Sequence, residues 1–339
     1  MEYRYIGKSG LRVTPICMGT MSFGSWSDKK ESFRILDTAY DRGINFYDTA
    51  EIYPVPPSAE TTGITEEIFG EWIQTKPRDS LIVATKVAGA AAGWFVPPLR
   101  HGLTAIDRFH IETAIEGSLR RLGTDYVDLY QVHWPDPVVP IEESMEALDR
   151  LVQAGKVRYI GTSNETTYGL TKANTVASYE GLAKFQSIQN NFSLLHRRFL
   201  DELADACRRE NVSLLPYSPI GGGVLSGKYN APEMPKGCRF GDYHYHDNPR
   251  QRAMADRFVN PATLAATEKY LEIAKDAGMA PVTLATAWSM NFDFVASTII
   301  GARTAAQLED SLAALDVTLT DEIMQQCDEV HKQFPYPMG

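Results

Sequence analysis

The chain has 339 residues, of which 44% are hydrophobic, and a formal net charge of −10 at pH 7. An acidic chain without a concentrated basic stripe is a poor candidate for binding nucleic acid or anionic membranes. No apolar run is long enough to span a bilayer, and the polar N-terminus lacks the apolar core of a signal peptide, so we expect a cytoplasmic protein. The four cysteines have neither Cys-x-x-Cys nor zinc-finger spacing, so we expect no metal site.

Short runs rich in Val, Ile, Tyr and Leu alternate along the chain with segments of helical apolar spacing. Two β runs at 3–6 and 11–13 flank a Gly-containing turn and predict an N-terminal hairpin that could plug the bottom of a barrel. Strands are then predicted at 16–19, 45–48, 81–86, 127–132, 158–163, 184–189, 213–217 and 296–300. Helices are predicted at 28–42, 65–74, 108–122, 141–154, 168–178, 200–210, 261–277, 281–291 and 305–314.

Eight strand–helix units in succession predict parallel strands joined by right-handed crossovers, which close into a (β/α)₈ TIM barrel of the α/β class. The rival is a doubly wound open sheet, which usually carries Gly-x-Gly-x-x-Gly after its first strand. Residues 19–24, Gly-Thr-Met-Ser-Phe-Gly, do not have that pattern. We therefore predict one barrel domain over residues 1–339.

Three predicted linkers are longer than a barrel needs, at 54–62, 87–107 and 220–260. Each follows a strand and should therefore lie on the C-terminal face, where barrel active sites are found. Long loops in compact domains are usually functional. We therefore expect the active site among these C-terminal-face loops.

Three consecutive predicted strands end in polar residues, Asp48, Lys86 and His133, and Tyr53 lies in the loop after Asp48. Parallel strands should bring these residues to one rim, where Asp48 can supply the counter-charge of a buried Lys86. The ammonium group should lower the pKa of Tyr53 from about 10, so that Tyr53 donates a proton while His133 orients a substrate oxygen. This set suits reduction of a carbonyl, for which a cofactor must supply hydride.

Each of these four residues has an ordinary alternative explanation when it is taken alone. An Asp after a strand is more often a turn or cap residue. A Lys at a strand end is more often solvated, and a single His is more often a satisfied polar group. Their predicted positions on adjacent strand ends of one rim favour a common site.

Four ordered blocks carry a resemblance to a known family. Residues 43–53, Gly-Ile-Asn-Phe-Tyr-Asp-Thr-Ala-Glu-Ile-Tyr, resemble the first signature of the aldo-keto reductase superfamily. Residues 82–86, 118–133 and 155–164 are similar to its lysine-bearing strand, its second signature and the block that follows. The resemblance runs from about residue 3 to residue 315. It implies a barrel that binds NADPH extended across the rim.

The resemblance also implies roles for individual residues. Tyr53 is the implied proton donor, Lys86 lowers its pKa, Asp48 pairs with Lys86, and His133 orients the carbonyl. The end of the cofactor that carries the nicotinamide is implied to be held by Ser163, Asn164, Gln189 and Tyr217.

Residues 217–229 resemble the loop that folds over the cofactor pyrophosphate, although a Gly-Gly-Gly turn taken alone would equally be a flexible loop. Glycines let backbone amides approach phosphate oxygens. The cofactor contacts expected in this loop are Ser218, Pro219, Ile220, Gly221, Gly223 and Lys228. Further contacts are expected from Asp48 and, at the end of the first strand, from Gly19, Thr20 and Met21.

Residues 300–312 resemble the adenosine end of the cofactor site. A helix start near Thr304 would offer amides to a phosphate, and Arg303 could pair with the 2′-phosphate of NADP, with Arg239 as a second candidate. The alternative for Arg303 is an ordinary solvated charge. The family usually has Glu-Asn where this chain has Asp-Ser. Further contacts are expected from Gly301, Gln307, Asp310 and Ser311.

Aromatic residues are frequent in the segments predicted to form the rim, which suits a bulky or apolar carbonyl substrate, although half of them could simply pack under loops. The predicted substrate pocket consists of Trp26, Tyr53, Trp94, His133 and Trp134.

The inserts at 54–57 and 87–107 resemble a bacterial subgroup that is itself similar to β subunits of voltage-gated potassium channels. We predict an NADP(H)-dependent reductase of aldehydes or ketones, acting reversibly on a small molecule. The alternative is a cofactor-binding regulatory or channel-associated subunit with little turnover. The channel subunits have asparagine at the position of His133, which favours the enzyme. A metal-dependent hydrolase is disfavoured because the first strand does not end in His-x-His.

Overall fold

The computed structural model describes residues 2–89 and 105–338. The strands are β1 (Arg4–Tyr5), β2 (Arg12–Val13), β3 (Ile16–Gly19), β4 (Phe46–Asp48), β5 (Ile82–Val87), β6 (Val127–Val132), β7 (Val157–Ser163), β8 (Phe185–Gln189), β9 (Ser213–Leu214) and β10 (Thr298–Ile300). The helices are α1 (Lys29–Asp41), α2 (Ile64–Ile73), α3 (Arg108–Leu122), α4 (Ile141–Gln153), α5 (Thr167–Glu180), α6 (Leu203–Glu210), α7 (Arg239–His244), α8 (Pro249–Phe258), α9 (Pro261–Asp276), α10 (Pro281–Met290), α11 (Glu309–Leu312) and α12 (Asp321–Gln333).

The strands β3 to β10 form one parallel sheet in the order β10-β3-β4-β5-β6-β7-β8-β9. The two edges of the sheet meet through a parallel bridge between Leu214 of β9 and Val295, which lies just before β10. Backbone hydrogen bonds reinforce this junction, from Leu214 N to Phe294 O at 2.7 Å and from Ile299 N to Pro216 O at 2.8 Å. The sheet therefore closes into a (β/α)₈ barrel, and the predicted fold class is confirmed.

The N-terminal hairpin is also confirmed, because β1 pairs antiparallel with β2. Its buried residues Ile6, Leu11 and Val13 form one apolar cluster with Phe46 and Leu129 of the barrel strands. The hairpin thus covers the end of the barrel opposite to the strand C-termini, which leaves the C-terminal rim for the polar residues.

Most of the predicted helices form where the apolar spacing places them. In α4, Met145, Leu148 and Leu151 lie on one face and are buried in the core. Asp28 caps the start of α1 by accepting a hydrogen bond from Glu31 N at 2.8 Å, and Gly123 ends α3 with a left-handed φ of 62°.

The seventh barrel strand is shorter than the predicted 213–217 and ends at Leu214. Pro216 has no amide hydrogen and cannot continue the ladder as a donor. Tyr217 nevertheless lies beside the end of β8, because it forms a parallel bridge with Asn191.

Three helical regions depart from the prediction. The linker 220–260 contains α7 and α8, and α12 follows the last predicted element. The predicted helix at 305–314 is instead a 3-10 turn, the short α11 and a second 3-10 turn. The short runs in this last region are too brief for helical apolar spacing to identify them from sequence.

Two properties bear on the possible function. Over the described ranges 2–89 and 105–338, no helix has the length and apolar character needed to cross a membrane. Over those same ranges, no cluster of three or more His, Cys, Asp or Glu side chains is arranged to hold a metal ion.

Candidate active site

A buried ion pair lies in the mouth of the barrel. The Lys86 ammonium at the end of β5 is fully buried and hydrogen-bonds to Oδ1 of Asp48 at the end of β4 and, at 2.8 Å, to Thr49 O. The second carboxylate oxygen, Oδ2, accepts from Gln131 Nε2 at 3.0 Å and from Gln189 Nε2 at 2.9 Å. A buried charge pair is stable only when its remaining hydrogen-bonding capacity is satisfied, and both oxygens of Asp48 meet that condition.

Gln131 is a site residue that the sequence reasoning missed. It lies on β6, is fully buried, and is joined to Gln189 by a bond of 3.2 Å from Gln189 Nε2 to Gln131 Oε1. Strand periodicity could have identified it, because Gln131 precedes His133 by two positions and so points to the same face. Gln189, predicted to contact the nicotinamide, directs its amide nitrogen to Asp48 and Gln131.

Tyr53 and His133 complete the group. The Tyr53 hydroxyl lies 3.5 Å from Lys86 Nζ, and its ring meets the His133 imidazole edge to face with 5.8 Å between ring centroids. The imidazole stacks on Trp134 at 3.9 Å with only 5° between the planes. The structure therefore brings together Asp48, Tyr53, Lys86, His133 and Trp134, as predicted.

The pKa of Tyr53 does not shift in the expected direction. Burial raises the pKa of the phenol, while the nearby Lys86 ammonium lowers it, and the result is a pKa above the ordinary 10. The prediction that Lys86 brings this pKa below 10 is therefore wrong for the structure as it stands. The cation reduces the effect of burial and does not reverse it.

The pKa values of Lys86 and His133 shift in opposite directions. Burial lowers the pKa of Lys86. The carboxylate of Asp48 and the phenol of Tyr53 together raise it by more than burial lowers it, so the pKa lies above the ordinary 10.5. Burial, with a smaller contribution from Lys86, places the pKa of His133 well below 6.5. Lys86 is thus a cation at neutral pH and His133 is a neutral imidazole.

The residues predicted to hold the nicotinamide lie next to this group. Asn164 adopts a left-handed φ of 54° and donates from Nδ2 to His133 O at 2.8 Å. Its Oδ1 accepts from the Tyr217 hydroxyl at 2.8 Å. Ser163 Oγ donates to Gln189 O at 2.7 Å. The side chains of Ser163 and Asn164 at the end of β7 are thus hydrogen-bonded to the backbone of Gln189 and of His133 and to the Tyr217 hydroxyl.

The first predicted cofactor residues mainly support the framework. A Cβ on Gly19 would lie 2.8 Å from Ile299 Cγ2, so the absence of a side chain lets β3 pack against β10. Thr20 is fully buried and donates from Oγ1 to Asp48 O at 3.0 Å, and the carbonyl of Met21 accepts from Val55 N at 3.0 Å.

The glycine loop after Tyr217 has a left-handed backbone. Ser218 has a φ of 55°, and Gly221, Gly222 and Gly223 have φ values of 57°, 63° and 101°. A Cβ on Gly223 would stand 2.9 Å from Lys228 Nζ, so the glycine lets this ammonium lie against the loop backbone. Such a cationic cradle fits a phosphate group.

Arg303 and Arg239 flank Trp26. The Arg303 guanidinium lies 4.3 Å from the centre of the Trp26 ring and the Arg239 guanidinium lies at 5.8 Å. Arg303 Nη1 donates to Gly237 O at 3.1 Å and approaches Asp242 Oδ2 at 3.6 Å. Among the described residues, no partner hydrogen-bonds the buried Nη2 of Arg303 or the buried Nε of Arg239. Trp26 therefore groups with the arginines rather than with Trp134.

The predicted adenosine end differs in part from expectation. The amide of Ala305, at the start of the 3-10 turn, donates to Glu31 Oε1 at 2.8 Å, so it is not free for a phosphate. Gln307 Oε1 accepts from Arg303 N at 2.9 Å. Gly301, Gln307 and Asp310 are exposed, whereas Ser311 is buried. The predicted pocket residue Trp94 and residues 90–104 of the linker 87–107 lie outside the described residues.

Comparisons with known proteins place the chain in a family. The sequence profile of the Aldo/keto reductase family matches residues 15–332. Protein tas of Escherichia coli is 36% identical, with 99% of each chain covered. A putative aryl-alcohol dehydrogenase of Schizosaccharomyces pombe is 32% identical over 98% of this chain and 96% of its own. A probable voltage-gated potassium channel subunit beta of Oryza sativa is 32% identical over 99% and 98%. The chain therefore belongs to the aldo/keto reductase family.

Proposed function

We propose that the protein catalyses the reversible NADPH-dependent reduction of an aldehyde or ketone to the alcohol, with Tyr53 as the proton donor. One observation carries this proposal: the Tyr53 hydroxyl lies 3.5 Å from the buried Lys86 ammonium and beside the imidazole of His133. Membership of the aldo/keto reductase family and a relative named as a putative aryl-alcohol dehydrogenase support an oxidoreductase acting on such groups.

Each of the four polar side chains has a distinct task in this reaction. His133 is neutral and can hydrogen-bond the carbonyl oxygen, which orients the substrate. Tyr53 gives its proton to that oxygen as negative charge develops there. Lys86 stabilises the phenolate that remains, and Asp48 keeps Lys86 in place. Because these groups are set before the substrate arrives, little reorganisation is needed during proton transfer.

The residues on the rim fit NADPH, which supplies the hydride when it is bound. The left-handed glycine backbone with the Lys228 ammonium beside it suits the diphosphate. The two arginines that flank Trp26 each keep a buried N–H without a hydrogen-bond partner in the described part of the chain. An unsatisfied buried N–H is costly, and a phosphate oxygen would satisfy it. We assign Arg303 to the 2′-phosphate and therefore propose NADPH rather than NADH.

The apolar wall beside the reacting groups favours a bulky or aromatic carbonyl compound. Ala50, Ile52 and Ala88 form a buried cluster, and Trp134 and Tyr53 pack against it. Trp134 also covers one face of His133. An aromatic ring placed there would bury apolar surface next to the Tyr53 hydroxyl.

The test is single-turnover oxidation of enzyme-bound NADPH by benzaldehyde, followed by absorbance. We expect loss of the reduced cofactor and formation of benzyl alcohol in equal amounts. Lys86→Met serves as the comparison variant, because it retains an apolar stem of similar length and removes the cation. A wild-type protein that binds NADPH but transfers no hydride to any of a panel of aldehydes and ketones would refute the reductase proposal.

A second candidate is a cofactor-binding regulatory or channel-associated subunit with little turnover. The 32% identical relative named as a probable potassium channel subunit beta supports it. The histidine at position 133 distinguishes this chain from the asparagine expected in that group. If His133→Asn retains NADPH binding and loses turnover, the enzyme proposal is favoured. If wild type and variant are equally slow, the regulatory role is favoured.

A further inference from the structure

The loop that carries Tyr53 begins as a continuation of the ladder between β4 and β5. Beyond the last paired residues, Thr49 N donates to Ala84 O at 2.9 Å and Glu51 N donates to Lys86 O at 3.3 Å. The segment after β4 therefore remains paired with β5 up to Glu51. In the sequence, Glu51 lies between Asp48, which binds Lys86, and Tyr53, whose hydroxyl faces Lys86.

At Glu51 the side-chain carboxylate takes the place of the backbone carbonyl as the hydrogen-bond acceptor in this ladder. In a regular parallel ladder the next bond would run from Ala88 N to the carbonyl of Glu51. That carbonyl instead accepts from Thr62 Oγ1 at 3.1 Å, because the chain turns away there. Ala88 N donates to Glu51 Oε1 at 2.6 Å. The carboxylate therefore holds the turning loop against β5 just beyond Lys86.

This contact bears directly on the geometry of the site. Tyr53 N donates to Ala50 O at 3.1 Å, so Tyr53 lies on a tight turn that includes Glu51. Glu51 fixes this turn to the strand that carries Lys86.

A second element packs against the carboxylate. His110 in the first turn of α3 is buried, and its Nε2 lies 3.5 Å from Glu51 Oε1. Within the described residues, neither imidazole nitrogen of His110 has a hydrogen-bond partner. Glu51 is also close enough to the buried Tyr130 to contribute to its raised pKa. The carboxylate is thus enclosed on its α3 side and has little freedom to leave Ala88 N.

We propose that Glu51 is a positioning residue for proton transfer: it holds the Tyr53 hydroxyl at the distance from Lys86 that the reaction requires. This inference rests on the proposed function, in which Tyr53 gives its proton to the carbonyl oxygen. Displacement of a reacting group by about 1 Å can cost about a hundredfold in rate. Loss of the Glu51 bond should therefore slow the proton step while NADPH binding is retained.

The experiment compares three substitutions at this position. Glu51→Gln keeps an acceptor oxygen at the same place, so we expect single-turnover reduction within about threefold of wild type. Glu51→Ala removes the acceptor, and Glu51→Asp withdraws the carboxylate from Ala88 N while it keeps the charge. For both we expect a loss of about tenfold to a hundredfold, a larger solvent deuterium isotope effect and an NADPH affinity within about twofold. Glu51→Asp also provides the measurement if Glu51→Ala does not fold.

The matched control is Asp128→Ala. Asp128 Oδ2 accepts from Val83 N at 2.9 Å and from Arg78 at 2.7 Å, so it also ties a side chain to β5, at the opposite end of the barrel. We expect it to lower the melting temperature without changing the solvent isotope effect. An equal loss of rate in Asp128→Ala, an active Glu51→Asp, or a Glu51→Gln as slow as Glu51→Asp would overturn the positioning role. A wild type that transfers no hydride would instead overturn the proposed function on which this role depends.

Discussion

Gln131 Nε2 lies 3.0 Å from Asp48 Oδ2, although the two residues are 83 positions apart in the chain. The bond joins the ends of β4 and β6 across β5, which carries Lys86. It also leaves Oδ1 of Asp48 for the lysine. Together with the amide of Gln189, which donates to the same oxygen, this uncharged amide orients the charge pair.

We expect Gln131→Leu to weaken both catalysis and stability. The change leaves Asp48 Oδ2 with only the donor from Gln189, so the carboxylate can rotate away from Lys86. Loss of one hydrogen bond to a buried charged group should lower the free energy of unfolding by about 1–3 kcal/mol. We expect the single-turnover rate to fall about tenfold, measured beside urea unfolding.

The comparison for this change is Gln74→Leu, which removes a side-chain amide that donates to Gly123 O at the protein surface. Surface substitutions of this kind change stability by about 0.5 kcal/mol or less. Equal effects of the two substitutions would show that the position of Gln131 beside Asp48 has no special importance.

Tyr53→Phe should abolish reduction and leave NADPH bound. The substitution removes only the hydroxyl, whose one described hydrogen bond is the 3.5 Å contact with Lys86 Nζ, so the fold should persist. General acid catalysis contributes about 10²- to 10⁴-fold, and we expect a loss of that size in the single-turnover rate. NADPH affinity, measured by fluorescence, should be unchanged. Near-normal turnover in the variant would exclude Tyr53 as the proton donor.

The pH dependence of reduction should show only an alkaline limb. Tyr53 is active when it is protonated, and its pKa lies above 10, so activity should persist through neutral pH and be lost as the pH rises beyond that value. The pKa of His133 lies well below 6.5, so no limb is expected near that pH. Single-turnover rates from about pH 5 to about pH 11.5 measure both, because the range extends past the ordinary tyrosine pKa of about 10.

Lys86→Met tests the direction in which Lys86 shifts the pKa of Tyr53. The Lys86 charge lowers the pKa of Tyr53, so its removal should move the alkaline limb to higher pH while the overall rate falls. A limb that moves to lower pH would contradict the assignment of this ammonium as the group that opposes the effect of burial.

Arg303→Ala should weaken NADPH much more than NADH. A hydrogen bond to a charged group contributes about 1.5–3 kcal/mol, which corresponds to about tenfold to a hundredfold in Kd. Arg158→Ala is the matched control, because that arginine also lies 4.3 Å from an aromatic ring, that of Tyr126, at the other end of the barrel. Equal losses of both cofactors in Arg303→Ala would show that Arg303 does not bind the 2′-phosphate.

Much of the site could be predicted because the barrel repeats one unit. The ends of β4, β5 and β6 are fixed by strand periodicity, so Asp48, Lys86 and His133 were predicted to meet and the structure places them together. Gln131 was equally accessible to this reasoning. It was missed because an uncharged amide suggests no chemistry until its partner is known.

The arginine–tryptophan group could not be predicted in the same way. Trp26 lies in the loop after β3, whereas Arg239 begins α7 and Arg303 follows β10. Loop paths have no periodicity that relates distant segments, so the sequence suggested a substrate role for Trp26. Its contact with Arg303 at 4.3 Å exists only in the folded chain.

The sequence by itself determined the barrel, the order of its strands and which polar residues share the rim, because these follow from periods of two and of three to four residues along the chain. Only the tertiary structure decided the charge states, since burial raises the pKa of Tyr53 against the influence of Lys86. It also decided that the carboxylate of Glu51 completes the ladder where the backbone turns away. Burial and side-chain contact depend on what the rest of the chain packs around a residue, and no local pattern encodes that.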